Sequence, residues 1–233
     1  MTLAIMQPYL FPYIGYWQLI NTVDTFVVYD NIQFTKKGWF NRNNILLNGK
    51  KTLFSIPLKK ESSYVDVVNR HLANNSEKEI IKIISQIKNG YKKAPYFNAV
   101  FPIIEEIFLN KENNLFMYIF SSIQKMCKYL DINTKIVVSS SVNIDSNLKS
   151  QDKVLAISKV LNATKYVNSI GGRELYSKKD FEAKNIQLLF LESEVLDYKQ
   201  FENEFVPYLS IIDVLMFNSK DEIKIMLGKY KLI

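Results

Sequence analysis

The chain has little with which to hold a metal or a nucleotide in the usual ways. Its 233 residues include a single cysteine, Cys127, and a single histidine, His71, so no Cys/His zinc site and no intrachain disulfide can be built from it. Aspartate and glutamate nowhere fall in the spacing of a calcium loop. Of only seven glycines, Gly171 and Gly172 alone are adjacent, and neither the Gly-x-Gly-x-x-Gly dinucleotide loop nor the Gly-x-x-x-x-Gly-Lys-Ser/Thr phosphate loop is present. No apolar run reaches the roughly 18 residues a bilayer span requires, and the N-terminus lacks the basic and apolar regions of a secretion signal. These absences predict a cytoplasmic protein with no tightly bound metal and no membrane insertion.

What is present is the composition of a globular enzyme or binding protein: 48% hydrophobic residues and a net charge of +7. The excess charge is lysine scattered over helix faces and turns, without the basic stripe of a nucleic-acid binder, so no nucleic-acid partner is expected. The three arginines stand apart. Arg42, Arg70 and Arg173 lie in Asn41-Arg42-Asn43, Arg70-His71 and Gly171-Gly172-Arg173, and a planar fork suits phosphate or carboxylate in a way lysine does not. Arg42 and Arg173 are the candidate ligand contacts, with a structural ion pair as the alternative for each.

Short β-branched runs at 3–6, 25–30, 135–139, 165–168 and 187–191 are continuous rather than alternating, the pattern of parallel strands buried on both faces. A helix-forming segment between the third and fourth runs makes a right-handed βαβ crossover. The expected fold is α/β: an open, mostly parallel Rossmann-like sheet with helices on both faces. One domain over 1–233 is expected, with a hairpin and helical insertion around 41–130. The hairpin is predicted from Asn48-Gly49, which readily takes the positive φ of a type I′ turn; it is expected to project from the sheet with Arg42 at its base. Capping boxes are predicted at Ser76–Glu79 and Ser219–Glu222, an N-cap at Asn113, and a core position for Cys127 on an amphipathic helix.

Two polar clusters follow the first two strands directly. Gln7, Pro8, Tyr9, Pro12, Gly15 and Tyr16 come after one, and Asp30, Gln33, Lys36, Lys37, Trp39, Asn41, Arg42 and Asn43 after the other. Strand carboxyl ends face the ligand crevice of an open α/β sheet, so both clusters are placed at one site, joined by Ser140 after the third strand and by Gly171, Gly172 and Arg173 after the fourth. Asp30 and His71 are the candidate proton-transfer groups. His71 has the only side chain with an unperturbed pKa near neutrality; an exposed hydrogen-bonding histidine is the alternative. Asp213 stands inside an apolar helix, where a carboxylate needs a partner, and a hydrogen bond to the N-terminal loop is the expected one.

The ordered words Gln7-Pro8-Tyr9-Leu10-Phe11-Pro12-Tyr13-Ile14-Gly15-Tyr16, Tyr29-Asp30-Asn31-Ile32-Gln33-Phe34, Trp39-Phe40-Asn41-Arg42-Asn43, Tyr91-Lys92-Lys93-Ala94-Pro95-Tyr96-Phe97, Ile170-Gly171-Gly172-Arg173-Glu174-Leu175-Tyr176 and Ser210-Ile211-Ile212-Asp213 resemble the WbqC-like protein family over nearly the whole chain. Members of that family are commonly encoded among O-antigen, capsule and other surface-polysaccharide genes, beside enzymes that make unusual amino sugars. The resemblance implies a cytoplasmic tailoring role on a nucleotide-linked amino sugar, with an acyl or aminoacyl group transferred to its amino group from acyl-CoA or an ATP-activated donor. A non-catalytic sugar-nucleotide-binding or assembly protein is the alternative, and a homo-oligomer is left open. The opening segment also resembles that of nucleotidylyltransferases and pantoate ligases, although both histidines of their phosphate loop are missing here.

Overall fold

The computed structural model describes residues 1–62, 64–202 and 204–233. Five strands run parallel in one sheet: β1 (Thr2–Met6), β2 (Thr25–Val28), β5 (Lys135–Val138), β6 (Lys165–Ser169) and β7 (Gln187–Ser193). A short sixth, β8 (Tyr230–Leu232), is antiparallel to β7 and was not legible as a β-run. Between β2 and β5 stand the hairpin β3 (Arg42–Leu47) and β4 (Lys50–Ser55), a separate two-stranded sheet. The spatial order is β5-β2-β1-β6-β7-β8. The chain moves outward from β1 to β2 and β5, then returns to pair β6 on the other side of β1. Strand order therefore reverses between β1 and β6, which is where ligands enter such sheets, beyond the carboxyl ends.

Alternation within the strands assigns the two faces. Ala4, Phe26, Val28 and Val167 point into one core, together with α1 (Ile14–Thr22), α4 (Leu115–Tyr129), α7 (Ile211–Phe217) and α8 (Lys220–Leu227). Leu3, Ile5, Val27, Tyr166, Leu188 and Phe190 point into the other, against α5 (Ser150–Val160) and α6 (Lys178–Glu182). Both faces are buried, so continuous apolar runs in β1 and β2 are required; each such side chain contributes about 2 kcal/mol by leaving water.

The Asn48-Gly49 turn has φ of 51° and 71°, as the hairpin reading requires. The hairpin does not project, however. Ile45, Leu46 and Phe54 are buried, and it packs on α7 and on α2 (Ser76–Tyr91) so closely that a Cβ on Gly90 would run into Leu47. The capping box at Ser219–Glu222 forms; the one at Ser76–Glu79 does not, because Asn75 takes the cap position and Glu79 instead pairs with Lys82 at 2.7 Å. Asn114, one residue beyond the expected Asn113, caps α4 by accepting from the Met117 N–H at 3.0 Å. Cys127 is buried on α4, and burial pushes its thiol up to about 12.

Asp213 is fully buried on α7, but its partners are not in the N-terminal loop. Tyr91 and Tyr198 donate their hydroxyls to its two oxygens at 2.8 and 2.7 Å, and Gln200 Nε2 donates at 2.6 Å. Tyr91 in turn accepts the Leu46 N–H at 2.7 Å, tying α2, α7 and the hairpin to one carboxylate. The neighbouring Ser210 makes the expected link to the N-terminal loop instead. Burial raises the Asp213 pKa even against these hydrogen bonds, so its stabilisation is complete below the unfolded carboxylate pKa and declines as pH rises through the folded value. Asp213→Ala strands two phenol hydroxyls and an amide in the core, and should lower the unfolding free energy by about 3 kcal/mol, read by urea titration at pH 7.

Candidate functional site

The two motif clusters do meet. The loop after β1 and the segment leading to β3 are stitched together, the Leu10 N–H donating to the Trp39 carbonyl at 3.1 Å and the Tyr9 ring standing edge-on to Phe40 at 5.7 Å. Asn43 completes the seam: its Nδ2 donates to the carbonyls of Leu10 and Phe11 at 3.0 and 2.8 Å, and its Oδ1 accepts the Asn44 N–H. Phe11 has φ of 45°, an unfavourable conformation for a bulky residue. It is held there because its carbonyl also accepts the Ser210 hydroxyl at 2.8 Å, while its ring packs on Phe108. Asn43 is therefore buried and bonded to backbone, and Asn41 likewise donates to the Ile56 carbonyl at 2.6 Å. Both asparagines shape the mouth.

Within the first cluster, Tyr16 is buried and donates to the Gln7 carbonyl at 2.9 Å, and Tyr9 donates to Gln7 Oε1 at 2.9 Å. Burial raises the pKa of both phenols, which keeps them neutral donors at any physiological pH. Pro8 and Pro12 are buried; the Pro12 carbonyl accepts the Trp17 indole N–H at 3.0 Å and the Ile211 N–H at 3.1 Å. Gly15 leaves room for the Tyr13 ring, which lies where its Cβ would be.

In the second cluster, Gln33, Lys36, Lys37 and Trp39 are exposed, Gln33 pairing with Asp66 as an isolated β-bridge. Arg42 is half-buried; its Nε donates to the Gly38 carbonyl at 3.0 Å and its guanidinium lies 5.6 Å from the Trp39 ring centre. One edge of the fork is thus fixed to the loop, which aims the other. Gly172 backs onto the Asn168 amide, whereas Gly171 and Arg173 are exposed.

Asp30 is buried just beyond β2. Its Oδ1 accepts the Ser139 hydroxyl at 2.7 Å and the Ser140 N–H at 2.9 Å, both from the turn that follows β5. The Asp30 carbonyl accepts the Val68 N–H at 3.0 Å, which brings in the segment carrying Arg70 and His71. His71 is half-exposed, with Nδ1 3.4 Å from Glu61 Oε1, and among the described residues no hydrogen bond joins it to Asp30. Arg70, which sequence reasoning set aside, is buried: its guanidinium lies 4.3 Å from the Phe34 ring centre and donates to the Ser62 carbonyl at 3.0 Å.

Lys153 was missed altogether. It enters from the first turns of α5, with Nζ 2.8 Å from Asn31 Oδ1, 3.2 Å from the Asn31 carbonyl and 5.2 Å from the Tyr29 ring centre. The only hint in the sequence is a cation near a helix start, where the dipole favours acids. Among the described residues, no group of three or more His, Cys, Asp or Glu side chains could hold a metal ion, and no helix is long and apolar enough to cross a membrane.

A doubly wound, mostly parallel sheet with polar and aromatic side chains gathered beyond the carboxyl ends of β1, β2 and β5 defines an α/β protein of the Rossmann-like kind. The chain belongs to the WbqC-like protein family, whose profile matches residues 7–225. It is 25% identical over 217 residues to an uncharacterized protein of Mycobacterium tuberculosis, Rv1507c, the match covering 92% of each chain. No solved structure matches it.

The seam makes its own prediction. Asn43→Ala leaves the Leu10 carbonyl without its donor and loosens Phe11, and should cost about 2 kcal/mol of stability. A lowered melting temperature with faster proteolysis in residues 7–13 is the expected result.

Proposed function

We propose that the protein forms an amide on the amino group of a nucleotide-linked sugar, taking an acyl or aminoacyl group from acyl-CoA or an ATP-activated donor, as a tailoring step in bacterial surface-polysaccharide biosynthesis. The observation that carries this reading is the oriented carboxylate of Asp30, buried just beyond β2 at the start of the segment that goes on to the exposed Lys36, Lys37 and Trp39 and the half-buried Arg42. Amide formation needs the attacking ammonium to lose a proton and the acyl oxygen to be met by donors. A buried anion attracts and orients an ammonium; the cationic and aromatic rim suits a diphosphate and a sugar or base face. Family membership supports the polysaccharide context.

The test is a mass-spectrometric screen of the purified protein with nucleotide-linked amino sugars, each offered acyl-CoA donors or ATP with amino acids. A product with the mass gain of one acyl or aminoacyl group is expected; bound but unchanged sugar nucleotide across the panel would favour a binding or assembly role. Arg42→Lys should raise KM for the sugar nucleotide at least 10-fold without altering the melting temperature, since lysine cannot keep one edge on Gly38 and present the other.

Binding has a built-in reporter. The chain has two tryptophans; Trp17 is buried and Trp39 is 38% exposed at the rim. A sugar nucleotide should change the intrinsic fluorescence of the wild type, and Trp39→Phe should abolish that change. A response that persists in the variant would move the ligand away from this rim.

A further inference from the structure

The hydroxyl of Ser139 lies 2.7 Å from Asp30 Oδ1 and 2.7 Å from Asn31 Oδ1, and the same Asn31 atom lies 2.8 Å from Lys153 Nζ. Three short contacts in a row need three hydrogens correctly placed. With Lys153 an ammonium and the amide oxygen of Asn31 facing it, Asp30 and Asn31 compete for the one proton of Ser139, and one 2.7 Å contact is left without a hydrogen. Oxygen and nitrogen of an asparagine amide exchange places by a half-turn. With the NH₂ group of Asn31 facing inward, one of its hydrogens goes to Ser139 Oγ and the other to the lone pair of an uncharged Lys153 amine, and Ser139 then donates to the ionised Asp30. The Asp30 N–H, 3.3 Å from Ser139 Oγ, fills that oxygen's remaining acceptor position, and Lys153 still donates to the Asn31 carbonyl. Every contact is then satisfied with no proton added to Asp30.

From this geometry we propose that Lys153 is the proton acceptor of the site, a free amine joined to Asp30 through Asn31 and Ser139, which takes the proton from the substrate's ammonium group. The catalytic half of this inference rests on the amide-forming reading above. The substrate R–NH₃⁺ gives one proton to the Lys153 amine, and the freed electron pair forms the C–N bond to the acyl carbon of a thioester or acyl phosphate. As the C–S or C–O bond of the donor breaks, the second nitrogen proton leaves with the departing thiolate or phosphate. Asp30 thereby holds the relay in register, while Lys153, half-exposed on α5, is open to substrate. The groups facing Lys153 are Tyr29 and Asp30 from the end of β2, and Asp66 from the segment before Val67. Burial draws the Lys153 ammonium below the ordinary lysine range although Asp30 and Asp66 pull the other way.

The proposal is tested first without substrate, by following the ¹³Cε shifts of isotopically labelled lysines through a pH titration and assigning Lys153 from its loss in Lys153→Arg. Lys153 should titrate below every other lysine, and in Asp30→Asn its transition should move lower still, because one anion that favours the ammonium is gone. A Lys153 that titrates among the surface lysines overturns the proposal, and leaves a charged lysine with the extra proton on Asp30 as the closure of the relay. The second test is kinetic. Arginine stays protonated, so Lys153→Arg should lower kcat for amide formation about 100-fold with KM little changed; unchanged kcat overturns the base role. A low-titrating Lys153 in a protein that acylates nothing in the panel would instead overturn the amide-forming reading while keeping the free amine.

Discussion

The mouth of this protein depends on one unfavourable backbone conformation and the three groups that enforce it. A phenylalanine at positive φ costs of order 1–3 kcal/mol and persists only where its surroundings over-determine it. At Phe11 they do: the Asn43 amide and the Ser210 hydroxyl converge on one carbonyl, and the ring is locked on Phe108. These partners come from β3, from the start of α7 and from α3 (Phe97–Phe108), elements far apart in sequence. The loop after β1 is therefore held by the long excursion between β2 and β5 and by the C-terminal helices. That explains why a chain with so plain a Rossmann-like sheet carries a hairpin and three helices in the middle: they hold the mouth as well as filling one side of the core.

The same economy of polar groups recurs at Asp213. Both sites gather a few polar side chains from several elements on one group, the Phe11 carbonyl or the Asp213 carboxylate, and both sit in otherwise apolar surroundings where an unpartnered group would be costly. Ser210 and Asp213, three residues apart, bridge them. Ser210 faces the strained loop and accepts the Ile212 N–H to cap its helix, while Asp213 one turn on faces Tyr91 and Tyr198. One short helix thus connects the rim of the sheet to the helical insertion.

What could be read from the sequence followed from local physics. Parallel strands announce themselves by doubly buried apolar runs, the Asn48-Gly49 turn by its tolerance of positive φ, and the capping box at Ser219–Glu222 by its own spacing. Even the meeting of the two motif clusters follows from strand direction alone. What was not legible is tertiary. Asn41 and Asn43 read as ligand groups because nothing in Asn41-Arg42-Asn43 says which carbonyls lie opposite them. Asn75 stands at the cap position in place of Ser76, with no side-chain capping bond, because the helix starts one residue earlier than the Ser76–Glu79 spacing implies. Lys153 lies 122 residues from Asn31, in a stretch without a motif, and only the packing of α5 beside the end of β2 brings the two together.

The division of labour at the mouth follows from which polar groups are already satisfied. Asn43 has its hydrogens on the Leu10 and Phe11 carbonyls, so it cannot turn toward an incoming phosphate without breaking the seam that keeps Phe11 in place, and Asn41 is tied to the Ile56 carbonyl and the Ser55 hydroxyl. The polar and aromatic groups left outside that seam are Lys36 and Lys37, the outer edge of Arg42 and the face of Trp39, together with Lys153 beside Asn31. The first set is cationic and planar and suits the charged, flat part of a ligand. The second ends in a nitrogen held on Asn31 and within the influence of Asp30 and Asp66, on which the proton-transfer proposal rests. The proposed function requires that asymmetry: the anionic, ring-containing half of the substrate at the first set and its amine at the second.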